Sequence, residues 1–518
     1  MSSGTPRGER PATFREVFAV GEFRAIYAAS TLSWVGDYIA RAAVTALAFQ
    51  ITNSVVISAA AFAISYAPWL LGGSVLVALA ERYPYRSVMI ICDLARMALM
   101  AAVAIPHLPL AAVLGLLLAS ALLAPPFDAA RSATLPSVLP GDKYVVGVAV
   151  HSSTAQPAQV AGYMLGAALA AYDPRVALLL NAGTFAISAA LVRWGVESRK
   201  PALAADRRTH LLAETIDGFR LVFGTAALRA IALLVFGGAL FVIVPEGLAA
   251  AWAAETAVGP DTGWVQGMIM ASVPAGWILG GLSVTRLMAP STRQKFIRPF
   301  AVLAPLALVP AIFGPPAGVV ALLAGLCGFA MGGLVPVANA MFVRALPDEY
   351  RARAFGVMQG GLALLQGSAV LVTGALAQVY SLPVVVGAWS AGGVVLMSIL
   401  IAVWPPARRF DEATAAANAA NGAGHIPRHA AASPNHSAGY SAPAQHIPQH
   451  AATPPIHTAP PPIHTATPPN HTTPPPNHTT PPTITPNHAA APSPRAPGGV
   501  SPTAHASAVI LPPGTMEP

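Results

Sequence analysis

Charge is what this chain has least of: over 518 residues, only 10% are Asp, Glu, Lys or Arg while 54% are hydrophobic, and the mean hydropathy is +0.58. An average soluble domain carries roughly 25% charge, and a water-soluble fold cannot hide this much apolar surface. Cysteine is nearly missing too. Cys92 and Cys327 both lie inside apolar runs, which excludes a disulfide framework or a Cys-rich metal site and reads as two small core hydrophobes. Lysine is confined to Lys143, Lys200 and Lys295, so arginine carries the basicity; with the alanine richness this is the composition of a GC-rich bacterial genome. No Gly-x-x-x-x-Gly-Lys-Ser/Thr loop occurs, which disfavours ATP-driven work by this chain alone. No His–Glu metal motif or nucleophile constellation falls in the apolar blocks, so a membrane enzyme is disfavoured and no cofactor is expected. Residues 1–22 are polar and basic and the first apolar run is too long for a cleaved signal, so that run serves as its own insertion signal.

What is present is a series of apolar blocks of about twenty residues, the length a helix needs to cross a ~30 Å bilayer core. Breaks at turn residues and charges predict spans near 24–50, 55–79, 87–105, 110–127, 146–171 and 176–194, then 228–253, 263–288, 299–314, 317–343, 352–379 and 383–404. The expectation is an all-α membrane protein of twelve helices. It divides into a cytoplasmic segment 1–22, a six-helix half 23–194, a polar central loop 195–227, a second six-helix half 228–404 and a disordered tail 405–518.

The net charge of +8 is placed for topology rather than for nucleic acid. With the N-terminus inside, cytoplasmic segments collect Arg7, Arg10, Arg15 and Arg24; Arg82 and Arg86; Arg131 and Lys143; the central loop; Arg286, Arg293, Lys295 and Arg298; Arg344, Arg351 and Arg353; and Arg408 and Arg409. External loops keep only Arg175. A miscounted span would invert every later loop, so this asymmetry argues for an even number of spans with both termini inside. The halves also repeat one another. Leu139-Pro140-Gly141-Asp142-Lys143-Tyr144 after the fourth block answers Leu346-Pro347-Asp348-Glu349-Tyr350-Arg351 after the tenth, and each precedes a helix dotted with Gly and Gln.

Three segments carry a family likeness. The first block reads Leu32-Ser33-Trp34-Val35-Gly36-Asp37-Tyr38-Ile39 with Arg41 following; Leu79-Ala80-Glu81-Arg82-Tyr83-Pro84-Tyr85-Arg86 leads to Asp93-Leu94-Ala95-Arg96; and Glu214-Thr215-Ile216-Asp217-Gly218-Phe219-Arg220 precedes Leu228-Arg229. Over about residues 14–404 the chain resembles the major facilitator superfamily, and within it the drug and siderophore exporters that include macrolide-efflux and enterobactin-export proteins. The second segment departs from that family's loop signature at Val77, Glu81, Pro84 and Tyr85. The resemblance implies a secondary active transporter, a proton-coupled exporter of an amphipathic small molecule, acting as a monomer in a bacterial inner membrane. An uptake or facilitated-diffusion carrier is the alternative, or a sensor that uses the tail as an interaction module.

Charge inside a span costs roughly 2.5–3.5 kcal/mol on insertion scales, so each instance needs a partner or a purpose. Asp37 and Arg41 are four apart on one helix face and are expected to pair. The pair is either structural or a carboxylate that exchanges a proton while Arg41 sets its affinity. Glu246, between Pro245 and Gly247 in the seventh block, is either an interfacial carboxylate or a second coupling group facing a cavity shared with Asp37. Glu81, Arg82, Arg86, Asp93 and Arg96, with Asp128 and Arg131, form by resemblance a cytoplasmic gate of breakable ion pairs; as loop charges they would only set topology. Tyr38, Gln156, Gln159, Asn339 and Gln359 are candidates to line a cavity, as are Trp34, Trp264, Gln266 and Gln366. Gly-rich runs such as Gly280-Gly281 and Gly332-Gly333 suit close helix packing.

The tail is rich in Pro, Ala, Thr and His, and His450, His457, His464, His471 and His478 recur every seven residues. Prolines forbid a coiled coil. Spaced imidazoles are competent metal ligands, although tandem expansion of a low-complexity repeat accounts for the pattern without any metal.

Overall fold

A computed structural model describes residues 12–70, 83–199 and 211–423; Glu81, Arg82 and the histidine repeat lie outside them. All regular structure among the described residues is helical. The N-terminal half contains α1 (Phe14–Phe18), α2 (Gly21–Thr52), α3 (Val55–Ala63), α4 (Ala67–Leu70), α5 (Tyr85–Val103), α6 (Leu110–Leu122), α7 (Ala124–Val138), α8 (Asp142–Tyr172) and α9 (Pro174–Gly195). The C-terminal half follows with α10 (Leu211–Gly224), α11 (Ala226–Val242), α12 (Val244–Thr256), α13 (Asp261–Leu287), α14 (Pro290–Leu308), α15 (Ala317–Arg344), α16 (Arg351–Leu376), α17 (Leu382–Ala402) and α18 (Ala407–Ala423). Among the described residues, eight helical stretches are long and apolar enough to cross a membrane; α6 with α7, and α11 with α12, each make one.

The long helices α2, α5 and α8 miss that standard because they are the polar ones: α2 carries Asp37 and Arg41, α5 carries Asp93 and Arg96, and α8 carries His151, Gln156 and Gln159. A helix that takes charge into a bilayer must turn it toward protein. Asp93 and Arg96 are buried. Exposed leucines and isoleucines lie elsewhere on the same elements, for instance Ile91 and Leu94 on α5 and Leu165 on α8, where lipid tails would cover them.

Within the C-terminal half, α13 and α15 pack backbone to backbone. A side chain at Gly280 would strike the Phe329 carbonyl, and one at Gly332 would strike Trp277, so the glycine runs serve close approach. Another close crossing, in the N-terminal half, sets α2 on α8: Gly162 and Gly166 meet the backbone of Val35 and Ile39. The halves meet toward the end of the bundle that holds Asn53, Asp173 and Gly259. There Gly263 of α13 faces the Ala167 carbonyl of α8, and Gly374 of α16 faces Ala59 of α3. Gln266 spans the same boundary, donating to the Ala42 carbonyl at 2.8 Å and to Thr45 Oγ1 at 3.1 Å.

The polar segment 195–227, whose Glu214–Arg220 stretch carries part of the family likeness, contains α10, and Gly218 of that helix packs on the Arg353 backbone of α16. One expectation changes. The disordered tail expected from residue 405 begins instead with α18. Its run of alanines favours helix, Phe410 stacks on Trp404 with ring centroids 5.4 Å apart, and Asn421 exchanges hydrogen bonds with Asp348 at 2.9 and 3.1 Å. A segment too polar to read as a span is thus held by docking one face.

Candidate functional site

The close α2–α8 crossing puts Tyr38 against Tyr163, ring centroids 5.2 Å apart and nearly perpendicular. One turn along α2, the Arg41 guanidinium sits over the rings of Tyr38, Phe62 and Tyr66 at 5.3, 5.4 and 5.5 Å and donates to Tyr163 Oη at 3.4 Å. Three aromatic faces offset part of the cost of desolvating this cation. Glu246 enters from the other half. The chain breaks at Ile243 between α11 and α12, Pro245 sits in the first turn of α12, and Glu246 is 3% exposed. It accepts from Tyr163 Oη at 2.8 Å and from Gln159 Nε2 at 3.2 Å. Tyr163 therefore stands between Arg41 and Glu246, and its hydroxyl is bonded to both.

Asp37 does not pair with Arg41. It takes Arg96 of α5 at 2.5 Å instead. Four residues of separation bring two side chains near one another but do not decide which neighbour wins, and α9 tightens the choice from the far side. Phe185 lies under the Arg96 guanidinium at 4.1 Å, and Ser188 donates to Asp93 at 2.5 Å. Asp93 Oδ1 and Arg96 Nε, both buried, have no hydrogen-bond partner among the described residues.

The gate expected from sequence is thereby divided. Arg86, in the first turn of α5, donates to the Arg193 carbonyl and ties helix ends together. Asp93 and Arg96 stand roughly 10–15 Å deeper, at about 1.5 Å of helix rise per residue, and belong to the charged interior rather than to a face of the bundle. Asp128 and Arg131 pair with one another on α7 at 3.4 Å.

A cavity of about 130 Å³ lies inside the N-terminal half, with Asp37, Arg41, Ser65, Arg96, Ser120 and Asn181 among its lining. Glu246 is not part of that lining; it meets the N-terminal half through Tyr163, whose hydroxyl also takes Arg41, a residue that the cavity does touch. Gln156 and Asn339 are half-buried, Gln359 is exposed, and Trp264 is 61% exposed as an outer anchor would be. Trp34 packs on His151 at 4.2 Å. Sequence reasoning missed Tyr163, Tyr66, Phe62 and Ser188. The available signal for Tyr163 was its place one turn after Gln159, on the same face of α8.

Charged and polar groups gathered in the interior of an apolar helical bundle, with two halves meeting across them, define an integral multi-pass membrane protein built to handle a small solute. Residues 26–359 match the model of the Major Facilitator Superfamily, and the chain belongs to that family of membrane transporters. It is 24% identical over 206 residues to the multidrug efflux pump Tap of Mycolicibacterium fortuitum, an alignment covering 39% of this chain and 49% of that pump, so the match spans about half the relative's length. Among solved structures it is similar in fold to a POT family transporter in complex with 5-aminolevulinic acid, with TM-score 0.60, 12% identity, and coverage of 74% of this chain and 96% of that one. A variant of the nucleoside transporter NupG gives TM-score 0.58, 15% identity, and 74% and 100% coverage.

Proposed function

We propose that this chain is a proton-coupled secondary transporter that exports an amphipathic small molecule, with twelve spans and both termini on the cytoplasmic side of a bacterial inner membrane. The observation that carries the coupling is Glu246: a buried carboxylate of the C-terminal half held by Tyr163 and Gln159 of the N-terminal half. Hydrogen bonds to an ionised acceptor are roughly twice as strong as neutral ones, so a proton arriving on Glu246 weakens the link between halves where they meet. Movement of α8 then carries Tyr163 away from Arg41, and the cation and Asp37 feel the change through the cavity they line. Binding and protonation are in this way linked to which end of the bundle is open.

The similarity to a multidrug efflux pump favours export and an amphipathic drug-like substrate. The POT and nucleoside transporter folds favour a second reading, an uptake carrier of polar solutes on the same framework. Everted vesicles carrying the full chain separate the two. Addition of the transported compound should release protons from an acidified lumen, and Glu246→Gln should abolish that release while compound still binds. Intact release in both Glu246→Gln and Asp37→Asn would remove the coupling role from these carboxylates, and accumulation driven in the opposite sense would select uptake. Drug-susceptibility profiling of a host with and without the chain then narrows the substrate class.

A further inference from the structure

At the bundle end where α14 starts and α15 finishes, α18 lies across the C-terminal half and walls one side of a second, half-open cavity, of about 560 Å³. Three cations line it: Lys295 and Arg298, about one helical turn apart on α14, and Arg344 in the last turn of α15. Asp411 is the only acidic side chain among its lining residues. Trp404 and Phe410, stacked on each other, supply an aromatic wall at the point where α17 leaves the apolar region.

Within the described residues these cations are not used by the fold. Among the described residues Lys295, Arg298 and Arg344 make no ion pair or side-chain hydrogen bond, whereas nearby Arg293 is bound to the Met288 and Thr285 carbonyls and Arg409 to Glu412. Three cations facing one carboxylate leave a local excess of positive charge in a space far larger than a single ion. The enclosure is also fixed rather than incidental, because α18 is fastened at one end by Phe410 on Trp404 and at the other by Asn421 on Asp348.

We infer that this cavity binds the phosphodiester headgroup of an anionic phospholipid, with the phosphate on Lys295, Arg298 and Arg344 and the glycerol against Trp404 and Phe410. Its place at the ends of membrane-crossing helices favours a lipid over a soluble phosphate, since a headgroup at that depth is delivered by the bilayer itself. An aromatic pair beside basic residues is the arrangement expected at a membrane interface.

The test is a titration of the purified full chain in neutral detergent with fluorescent phosphatidylglycerol, with phosphatidylcholine, inorganic phosphate and glycerol phosphate as competitors. Binding should saturate and resist all three competitors. Each neutralised cation should weaken it about fivefold, and Lys295→Gln/Arg298→Gln/Arg344→Gln about a hundredfold. The same charge removed elsewhere, as Arg24→Gln/Arg175→Gln/Arg193→Gln, should leave affinity nearly unchanged. Asp411→Asn should tighten binding, a gain that partial unfolding cannot imitate. An equal loss in the two triple variants, displacement by phosphatidylcholine or by either soluble phosphate, or weaker binding in Asp411→Asn would each overturn the assignment.

Discussion

The two halves share a helical plan but are filled differently. In the N-terminal half, Asp93, Arg96, His151, Asn181, Thr184 and Ser188 are all buried. In the C-terminal half the buried polar side chains among the described residues are Glu246, Gln266, Thr373 and Ser390. The first half is held in part by ion pairs and polar hydrogen bonds, and the second by alanine, glycine and methionine packed at contact distance. Interiors of the first kind have alternative pairings within reach, while interiors of the second kind move as blocks. A transporter that needs one responsive half and one rigid half would divide its residues in this way, with Glu246 as the C-terminal half's buried ionisable contribution at the boundary.

The sharpest way to break this contrast is to remove Arg96. Its loss leaves Asp37 unpaired and Asp93 without the nearest cation, and stranding a buried charge costs about 3–5 kcal/mol. Arg96→Met should therefore lower the thermal midpoint of the purified protein more than Tyr163→Phe, Gly332→Leu or Glu22→Gln. Arg298→Gln, on the surface of the other half, should stay within about 0.5 kcal/mol of the parent. Equal midpoints for Arg96→Met and Arg298→Gln would show that the charged interior is not what holds the N-terminal half.

Tyr163→Phe tests the boundary itself. Glu246 keeps Gln159 but loses the 2.8 Å bond, and a hydrogen bond to a charged group is worth about 1.5–3 kcal/mol. The expected result is a moderate fall in thermal midpoint together with easier opening, read as faster hydrogen exchange along α12 and α8. Unchanged exchange would mean the halves are held by apolar contacts alone. The C-terminal half has its own test in Gly332→Leu, which forces a side chain into Trp277 and should cost about 1–3 kcal/mol through overpacking. Gly115→Leu on α6, where a new side chain meets nothing within 4 Å, should be nearly neutral.

Much of this architecture is written in apolar block length, because hydrocarbon imposes that length directly and no tertiary detail is needed to read it. The three charges Asp37, Arg41 and Glu246 also stand out in sequence, since ionisable groups are rare in such blocks. Their partners do not. Asp37 has Arg41 one turn away on its own helix and Arg96 on another, and only the α2–α5–α9 packing reveals that Phe185 and Ser188 hold the α5 pair in place. Tyr163 is hidden for a different reason: an aromatic in an apolar helix reads as packing until the glycines at 162 and 166 are known to press α2 against it. The helix α18 escapes because its stability comes from one docked face, Phe410, Ala413 and Ala417, and not from any run of hydrophobic residues.

The smallest expected effect lies outside both interiors, at the seam where the N-terminal half ends. Glu22, in the first turn of α2, is bound by the Arg199 guanidinium and by the Glu197 amide at 3.1 Å. Partial burial pushes its carboxyl up, but the Arg199 and Glu197 hydrogen bonds and the Arg199 charge together outweigh it and hold Glu22 below the ordinary glutamate value of 4.5. A depressed carboxylate contributes stability that is complete above its unfolded value and is lost as pH falls through the folded one. Glu22→Gln should accordingly cost no more than about 1 kcal/mol, the range of a solvent-screened pair. The gap between variant and parent midpoints should hold steady through neutral and mildly acidic pH and close as pH falls below the ordinary glutamate value. A gap that instead widened on acidification would mean that Glu22 is stabilised by burial in its neutral form, and the seam would then belong with the buried charges of the first half rather than with its surface.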